Sequence, residues 1–277
     1  MENSDQRRIA GEQGRSSGYE FEYKIIEEIN NSSEIGKYLI NFVLLKERID
    51  ETKVKVVASK VPKTVKDVLG GRNKPPKSDI FIEIYNQNKI LLNQIGISIK
   101  SSPKSVQVHI TNVDMFKEIC EFYGLAFSHK LYSALCKFCG WEKYKPNEIQ
   151  KKFLVQGKRE RWLFNELDED EKKEIQDFFS CYEKEIIEIV LMKGSASPKY
   201  FAKYYIANKV SYSKNKIINV DIFDMSTLID ICACGFSATE KGSFHIGKIT
   251  VQMKGSGKGK SYHGLQYNLS HNSIYKK

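Results

Sequence analysis

Apolar positions along this chain change their period from helical to strand-like and back. In GYEFEYKIIEEIN, residues 18–30, Phe21, Ile25, Ile26 and Ile29 fall on one face at helical spacing, with Ser16 or Ser17 available as a cap, which predicts a first helix. A second helix is predicted over about 35–50. VKVVAS at 54–59 has strand composition, and Pro62 opens a short predicted helix that ends at Gly70-Gly71. The period then becomes two. DIFIEIY at 79–85 alternates strictly, NQNK at 86–89 supplies turn chemistry, and KILLNQIGISIK returns as a longer strand, followed by another in SVQVHI at 105–110.

From about 113 helices dominate: 113–124, 128–140, 146–154, and a long one from about 168 to 192 that opens on Asp168, Glu169 and Asp170 and closes at Lys193-Gly194, as the helix dipole and a left-handed cap favour. The last third mixes a short predicted helix at 226–233 with strands near 216–223, 247–254 and 264–269, the final pair separated by the basic glycine-rich GSGKGKSYHG. No internal repeat or interdomain linker is visible.

The alternation at 79–100 has a chemical consequence. Folding a hairpin about 86–89 returns Asp79 to the neighbourhood of residues 96–98, and Ser98 and Lys100 share a face because side chains alternate along a strand. Asp79 likewise shares a face with Glu83. A carboxylate, a hydroxyl and an ammonium then converge, the set that metal-dependent phosphodiester cleavage needs: an acid to hold a hard cation and a cation to orient water and stabilise developing charge. A surface hairpin with an edge aspartate gives the same spacing, so spacing alone does not choose.

Charge narrows the partner. Lys and Arg outnumber Asp and Glu 44 to 34, a formal net charge of +10 with a pI near 9.1. That balance suits a polyanion such as nucleic acid. A hydrophobic content of 41% suffices for a core. No stretch reaches the roughly 18 apolar residues of a membrane helix and the N-terminus lacks an apolar signal core, so a soluble, cytoplasmic protein is expected. Cys120, Cys136, Cys139, Cys181, Cys232 and Cys234 are spread too widely for a disulfide framework. Cys136-Lys-Phe-Cys139 and Cys232-Ala-Cys234 have the spacing of zinc half-sites, but their apolar helical surroundings favour core thiols.

GGRNKPPKSDIFIEI, followed by a turn and GISIKSSPKSVQVHITNVDMF, resembles the active-site region of PD-(D/E)xK nucleases, and among them the MspI-like type II restriction endonucleases. Gly70, Gly71, Lys77, Ser78, Asp79, Ile99, Lys100 and Ser102 fit that pattern. Gly18, Phe21 and Glu22 match a helix common in these enzymes, and 247–269 is similar to their strand, Gly/Lys loop and strand element. The resemblance covers roughly a quarter of the chain, in three segments. It departs at Pro75-Pro76, which do not abut the aspartate, and at Ser98, which stands where the family has a second acidic ligand or an asparagine.

The resemblance implies a mixed α/β sheet flanked by helices, with helical and C-terminal β-hairpin additions. It implies one endonuclease domain over 1–277, its catalytic core about 16–125 and its recognition region about 126–277. Asp79, Ser98, Lys100 and Glu22 are the expected catalytic residues, with Glu83 an alternative second carboxylate, and Mg2+ is expected on Asp79 and the Ile99 carbonyl. Expected DNA contacts are Lys104, Gln107, Gln252, Lys254, Ser256, Lys258, Lys260, Ser261, His263 and Gln266. His271 and the basic GKRER at 157–161 are weaker candidates, and the 255–264 loop also reads as a solvated hairpin tip. The implied partners are double-stranded DNA and a cognate DNA methyltransferase, for a monomer or homodimer that touches no membrane. A structure-specific repair or recombination nuclease and a non-catalytic DNA-binding protein stay open as alternatives.

Overall fold

The computed structural model describes residues 18–102, 105–154, 161–208, 220–254 and 264–275. The chain divides into two compact units, Met1–Val106 with Leu191–Leu228, and Gln107–Val190 with Ile229–Lys277. The sequence places the end of the catalytic core near 125; the units divide at 106/107, and the first regains chain from beyond 190.

In the first unit, helix α1 (18–30) and α2 (Glu34–Glu47) precede β1 (Val54–Lys60), a short antiparallel pair β2 (Val65–Lys66) and β3 (Asn73–Lys74), and the hairpin β4 (Ile80–Asn86) and β5 (Leu91–Ser101). The Ser33 side chain caps α2 by accepting from the Gly36 amide at 3.0 Å. Strand β6 (Ser105–Asn112) leads into the second unit, and β7 (Tyr204–Asn208) and β8 (Val220–Asp224) return to the first. The sheet order is β1-β4-β5-β7-β8, with β5 and β7 parallel and every other pairing antiparallel. Alternate residues Ile80, Ile82 and Ile84 of β4 and Ile95, Ile97 and Ile99 of β5 are buried against Phe21, Ile25, Ile29, Leu39 and Val43 of α1 and α2. Each such side chain contributes about 1.5–3 kcal/mol on burial, which fixes the face of the hairpin that meets the helices. The opposite face carries Asp79, Ser98 and Lys100.

The second unit contains α3 (Val113–Phe122), α4 (His129–Cys139), the short α5 (Glu148–Lys151), α6 (Glu169–Cys181) and α7 (Glu183–Glu188), then, after α8 (Met225–Cys232) at the boundary, strands β9 (Phe236–Ala238), β10 (Phe244–Ile246), β11 (Ile249–Lys254) and β12 (Gly264–Ser270) and a last turn α9 (His271–Ile274). Its sheet runs β6-β12-β11-β10-β9. Phe116 stacks on Phe179 at 6.0 Å between ring centroids and meets Phe127, Phe178 and Tyr267, an aromatic core.

Two expectations need correction. No helix forms after Pro62: Val61 and Val65 are buried and the segment makes the β2–β3 arm instead, its Val68 amide donating to the Ser195 carbonyl at 2.8 Å. The long helix reaches Lys193 but breaks at Tyr182 and ends in a π-helical turn, Ile189–Lys193. Just past the break, the Glu183 carboxylate accepts from the Cys234 and Gly235 amides at 2.9 and 2.7 Å, a tertiary contact that local pattern does not record. Strands β9 and β10 are too short to have registered as a period. Cys120, Cys136, Cys139 and Cys232 are buried, whereas Cys181 and Cys234 are exposed. No described helix is long and apolar enough to cross a membrane.

Candidate active site

The hairpin forms where the alternation predicts, with a register shift between Ile84 and Tyr85: Ile80 pairs with Ile97, and the Asp79 amide donates to the Ile97 carbonyl at 2.8 Å, so within the expected 96–98 window Asp79 lies across from Ser98. Asp79 Oδ2 accepts three hydrogen bonds, from the Ile99 amide at 2.6 Å, Lys100 Nζ at 2.8 Å and Ser98 Oγ at 3.2 Å. Both members of the Asp79–Lys100 ion pair are about four-fifths buried, their side chains 20% and 23% exposed. A charge-assisted bond in such a setting is stronger than one in open water. Oδ1 accepts none of the three.

What holds Asp79 there is the residue before it. Ser78 is buried, and its Oγ donates to the Tyr200 and Phe201 carbonyls at 2.8 and 3.0 Å. That close approach needs Gly96 on the facing strand, since a Cβ there would lie 2.1 Å from Ser78 Oγ and 2.3 Å from the Phe201 carbonyl oxygen.

Two further lysines enter. Lys60, at the end of β1 and paired with Ile80, forms an ion pair with Glu22 of α1. Its ammonium sits 5.7 and 5.6 Å from the ring centroids of Tyr19 and Tyr23. Burial lowers the Lys60 pKa, with the Asp79 carboxylate opposing and the Lys100 charge reinforcing the shift. Lys77 packs against Gly194, and burial, then the Lys100 charge, holds its pKa well below the usual lysine value against the pull of Asp79, although part of its surface still reaches solvent. The Lys60 and Lys100 ammoniums and the Lys77 amine thus share the electrostatic neighbourhood of one carboxylate, an arrangement that favours an anion.

No protein-family model matches the sequence, and no curated protein does. Among solved structures the chain is similar to the restriction endonuclease MspI in complex with its cognate DNA, with a TM-score of 0.61 and 16% identity over 96% of this chain and 95% of that one. This chain has a restriction-endonuclease-like fold. At that identity the likeness speaks to the fold, and the chemistry rests on the residues.

Within this restriction-endonuclease-like fold, Asp79, Ser98, Ile99 and Lys100 come together, and Glu22 reaches the margin of the cluster through Lys60. Glu83 does not join them. It lies four residues along β4, about 13 Å away at strand rise, where it accepts from Gln94 Nε2 and the Tyr85 hydroxyl at 2.9 Å each. Among the described residues no group of three or more His, Cys, Asp and Glu side chains converges on a cation position. A single carboxylate completed by water and substrate phosphate is nonetheless a donor set that magnesium accepts, so the residues present fit that ion.

Of the expected DNA contacts, Gln252 and Gln266 are cross-strand partners on β11 and β12, Gln252 exposed and Gln266 half-buried with its amide donating to Asn268 Oδ1 at 2.7 Å. Lys254 pairs with Gly264, and Gln107 is exposed on β6. Lys104, Ser256, Lys258, Lys260, Ser261 and His263 lie outside the described residues, as do the first cap candidates Ser16 and Ser17 and most of the 157–161 cluster. His271 is fully buried and is not available to DNA. Sequence reasoning missed Lys60 and Gly96. A glycine interrupting an apolar alternation was a signal for the second; nothing local marks the first.

Proposed function

We propose that this chain is a magnesium-dependent, site-specific DNA endonuclease of the type II restriction kind, leaving 5′-phosphate and 3′-hydroxyl ends. The observation that carries the reading is Asp79 Oδ2 gathered with Lys100 Nζ at 2.8 Å in a chain of restriction-endonuclease-like fold. Asp79 and the Ile99 carbonyl are the groups that would hold Mg2+, which when bound supplies a Lewis acid and a water of lowered pKa. Lys100 orients the attacking water and stabilises the charge that develops on the phosphate oxygens, and Ser98 steadies the Asp79 carboxylate. Glu22 fixes the Lys60 ammonium beside the cluster, where it adds positive potential for the phosphodiester. Lys254 and the exposed Gln252 suit phosphate and base-edge contacts, respectively. Double-stranded DNA is the substrate in this reading, and a cognate methyltransferase its expected companion.

Ser98 favours a second reading, a DNA-binding protein that keeps the fold without the chemistry, since a hydroxyl is a poorer magnesium ligand than a carboxylate. Digestion of a long heterogeneous DNA with magnesium, followed by sequencing of the ends, separates these. Ends at one short motif are expected. A smear or a preference for branched substrates points to a structure-specific nuclease, and absence of magnesium-dependent nicking points to the binding protein.

A further inference from the structure

Half of the formal net charge of this chain sits in one short segment. Residues 60–78 carry six basic side chains, Lys60, Lys63, Lys66, Arg72, Lys74 and Lys77, against one acid, Asp67, a net +5 of the total +10. Lys60 and Lys77 belong to the cluster around Asp79. The other four line the β2–β3 arm, where the sequence suggests a helix.

The arm is held rigid by its only acid. Asp67 is buried, and its carboxylate accepts from the Gly71 and Arg72 amides at 3.2 and 3.4 Å and from Arg72 Nε at 3.1 Å. The Asp67 amide donates back to the Arg72 carbonyl at 3.0 Å, and Asp67 bridges to Ala196. Its charge is therefore engaged within the arm and offsets Arg72 alone. Lys63 and Lys66 are exposed and Lys74 is half-exposed, and among the described residues no acid pairs with any of the three. Lys66 Nζ donates to the Gly71 carbonyl at 3.2 Å, which orients the ammonium without neutralising it.

A solvated basic loop relieves its self-repulsion by moving apart. This one is pinned by a buried carboxylate, two strand pairings and the Val68–Ser195 bond, so the repulsion is retained and the cations stay arranged for an anion. The reach is also bounded. Lys74 precedes Asp79 by five residues, so their Cα atoms are at most about 18 Å apart, roughly five phosphates along one strand of a duplex.

We propose that the β2–β3 arm is a phosphate clamp, in which Lys63, Lys66 and Lys74 grip the backbone of the DNA strand facing Asp79, Lys74 within about five nucleotides of the scissile phosphate. This rests on the nuclease reading above and adds to it a contact surface and the strand it engages. The contacts position the strand and carry no sequence information.

The test compares two triple variants of the full chain. Lys63→Gln/Lys66→Gln/Lys74→Gln removes the clamp; Lys37→Gln/Lys55→Gln/Lys89→Gln removes the same charge from exposed positions on α2 and at the ends of β1 and the hairpin away from Asp79. Metal-free binding of a duplex carrying the parent's cleavage site is measured across a salt series. Every lysine that neutralises a phosphate adds about 0.9 to the steepness of log K against log salt, so the arm variant should be shallower by about 2.7 and the control should keep the parent slope. Phosphate-ethylation interference on the parent should map to the cut strand within five nucleotides of the break and fade there in the arm variant. Equal slopes for the two triples, with the parent binding and cutting normally, would overturn the clamp and leave the nuclease reading intact. A parent that neither binds nor cuts DNA overturns both.

Discussion

Asparagine at position 79 removes one negative charge while keeping an oxygen that can accept the Ile99 amide. In the native site that carboxylate oxygen takes bonds from Ile99 N at 2.6 Å, Lys100 Nζ at 2.8 Å and Ser98 Oγ at 3.2 Å. A hydrogen bond to a charged group is worth about 1.5–3 kcal/mol and a neutral one about 1 kcal/mol, so the exchange should cost about 1–2 kcal/mol of stability. For a protein of this size that is a fall of a few degrees in Tm, leaving it folded. Chemistry should respond on another scale. Losing the anionic metal ligand and the partner that orients Lys100 should lower the single-turnover cleavage rate at least about a thousandfold. Metal-free DNA binding should move the other way. With the Lys60 and Lys100 ammoniums nearby, removing one repulsive charge about 8 Å from a phosphate is worth about 2 kcal/mol at an effective dielectric near 20, and about half that after salt screening, or roughly fivefold tighter binding. The assays are magnesium-dependent cleavage of a plasmid under single-turnover conditions and electrophoretic mobility shift without metal. Cleavage by the Asp79→Asn protein within tenfold of the parent, at unchanged Tm, would refute the assignment of Asp79.

The longest of the three bonds to Asp79 comes from Ser98, so Ser98→Ala should keep cleavage within about tenfold, whereas Lys100→Ala should lose at least a hundredfold; equal loss in both folded variants would make Ser98 a direct participant. Ser98→Asp adds a ligand and should lower the magnesium concentration for half-maximal rate, which a titration of single-turnover cleavage reads; no change would argue that position 98 does not face the ion. Gly96→Ala forces a Cβ into the Ser78 and Phe201 contacts and should cost about 1–3 kcal/mol in urea unfolding together with a large loss of cleavage, and an unperturbed variant would show that the strand end tolerates a shift. Burial pushes the Cys136 and Cys232 thiols up to about 12 and raises those of Cys120 and Cys139 as well, so Ellman's reagent should find two fast thiols in the native protein, Cys181 and Cys234, and six in denaturant.

Sequence alone determined the parts of this protein that are local. Alternation and turn chemistry at 79–100 set the hairpin and the faces of its strands, because a slip of one residue would turn Ile80, Ile82 and Ile84 out of the core, and this brings Asp79 to the neighbourhood of residues 96–98, while the register shift between Ile84 and Tyr85 settles it across from Ser98. Helical spacing likewise gave α1 with Phe21, Ile25 and Ile29 inward. The tertiary structure decided what depends on partners distant in the chain. Strand β7 enters parallel to β5 from a hundred residues away, and its approach through Tyr200 and Phe201 is what seats Ser78 and makes Gly96 necessary. Ser195 and Ala196 draw 61–74 into an arm where a proline and a glycine pair suggested a helix. Glu83 shares the face of Asp79, yet the distance along the strand and the pull of Gln94 and Tyr85 keep it out of the cluster, while Lys60, unmarked in sequence, is carried in by the pairing of β1 with β4. Periodicity and turn residues act over a few bonds and leave a trace in the order of the letters; strand neighbours and the charges they bring together are chosen by burial across the whole unit, which leaves none.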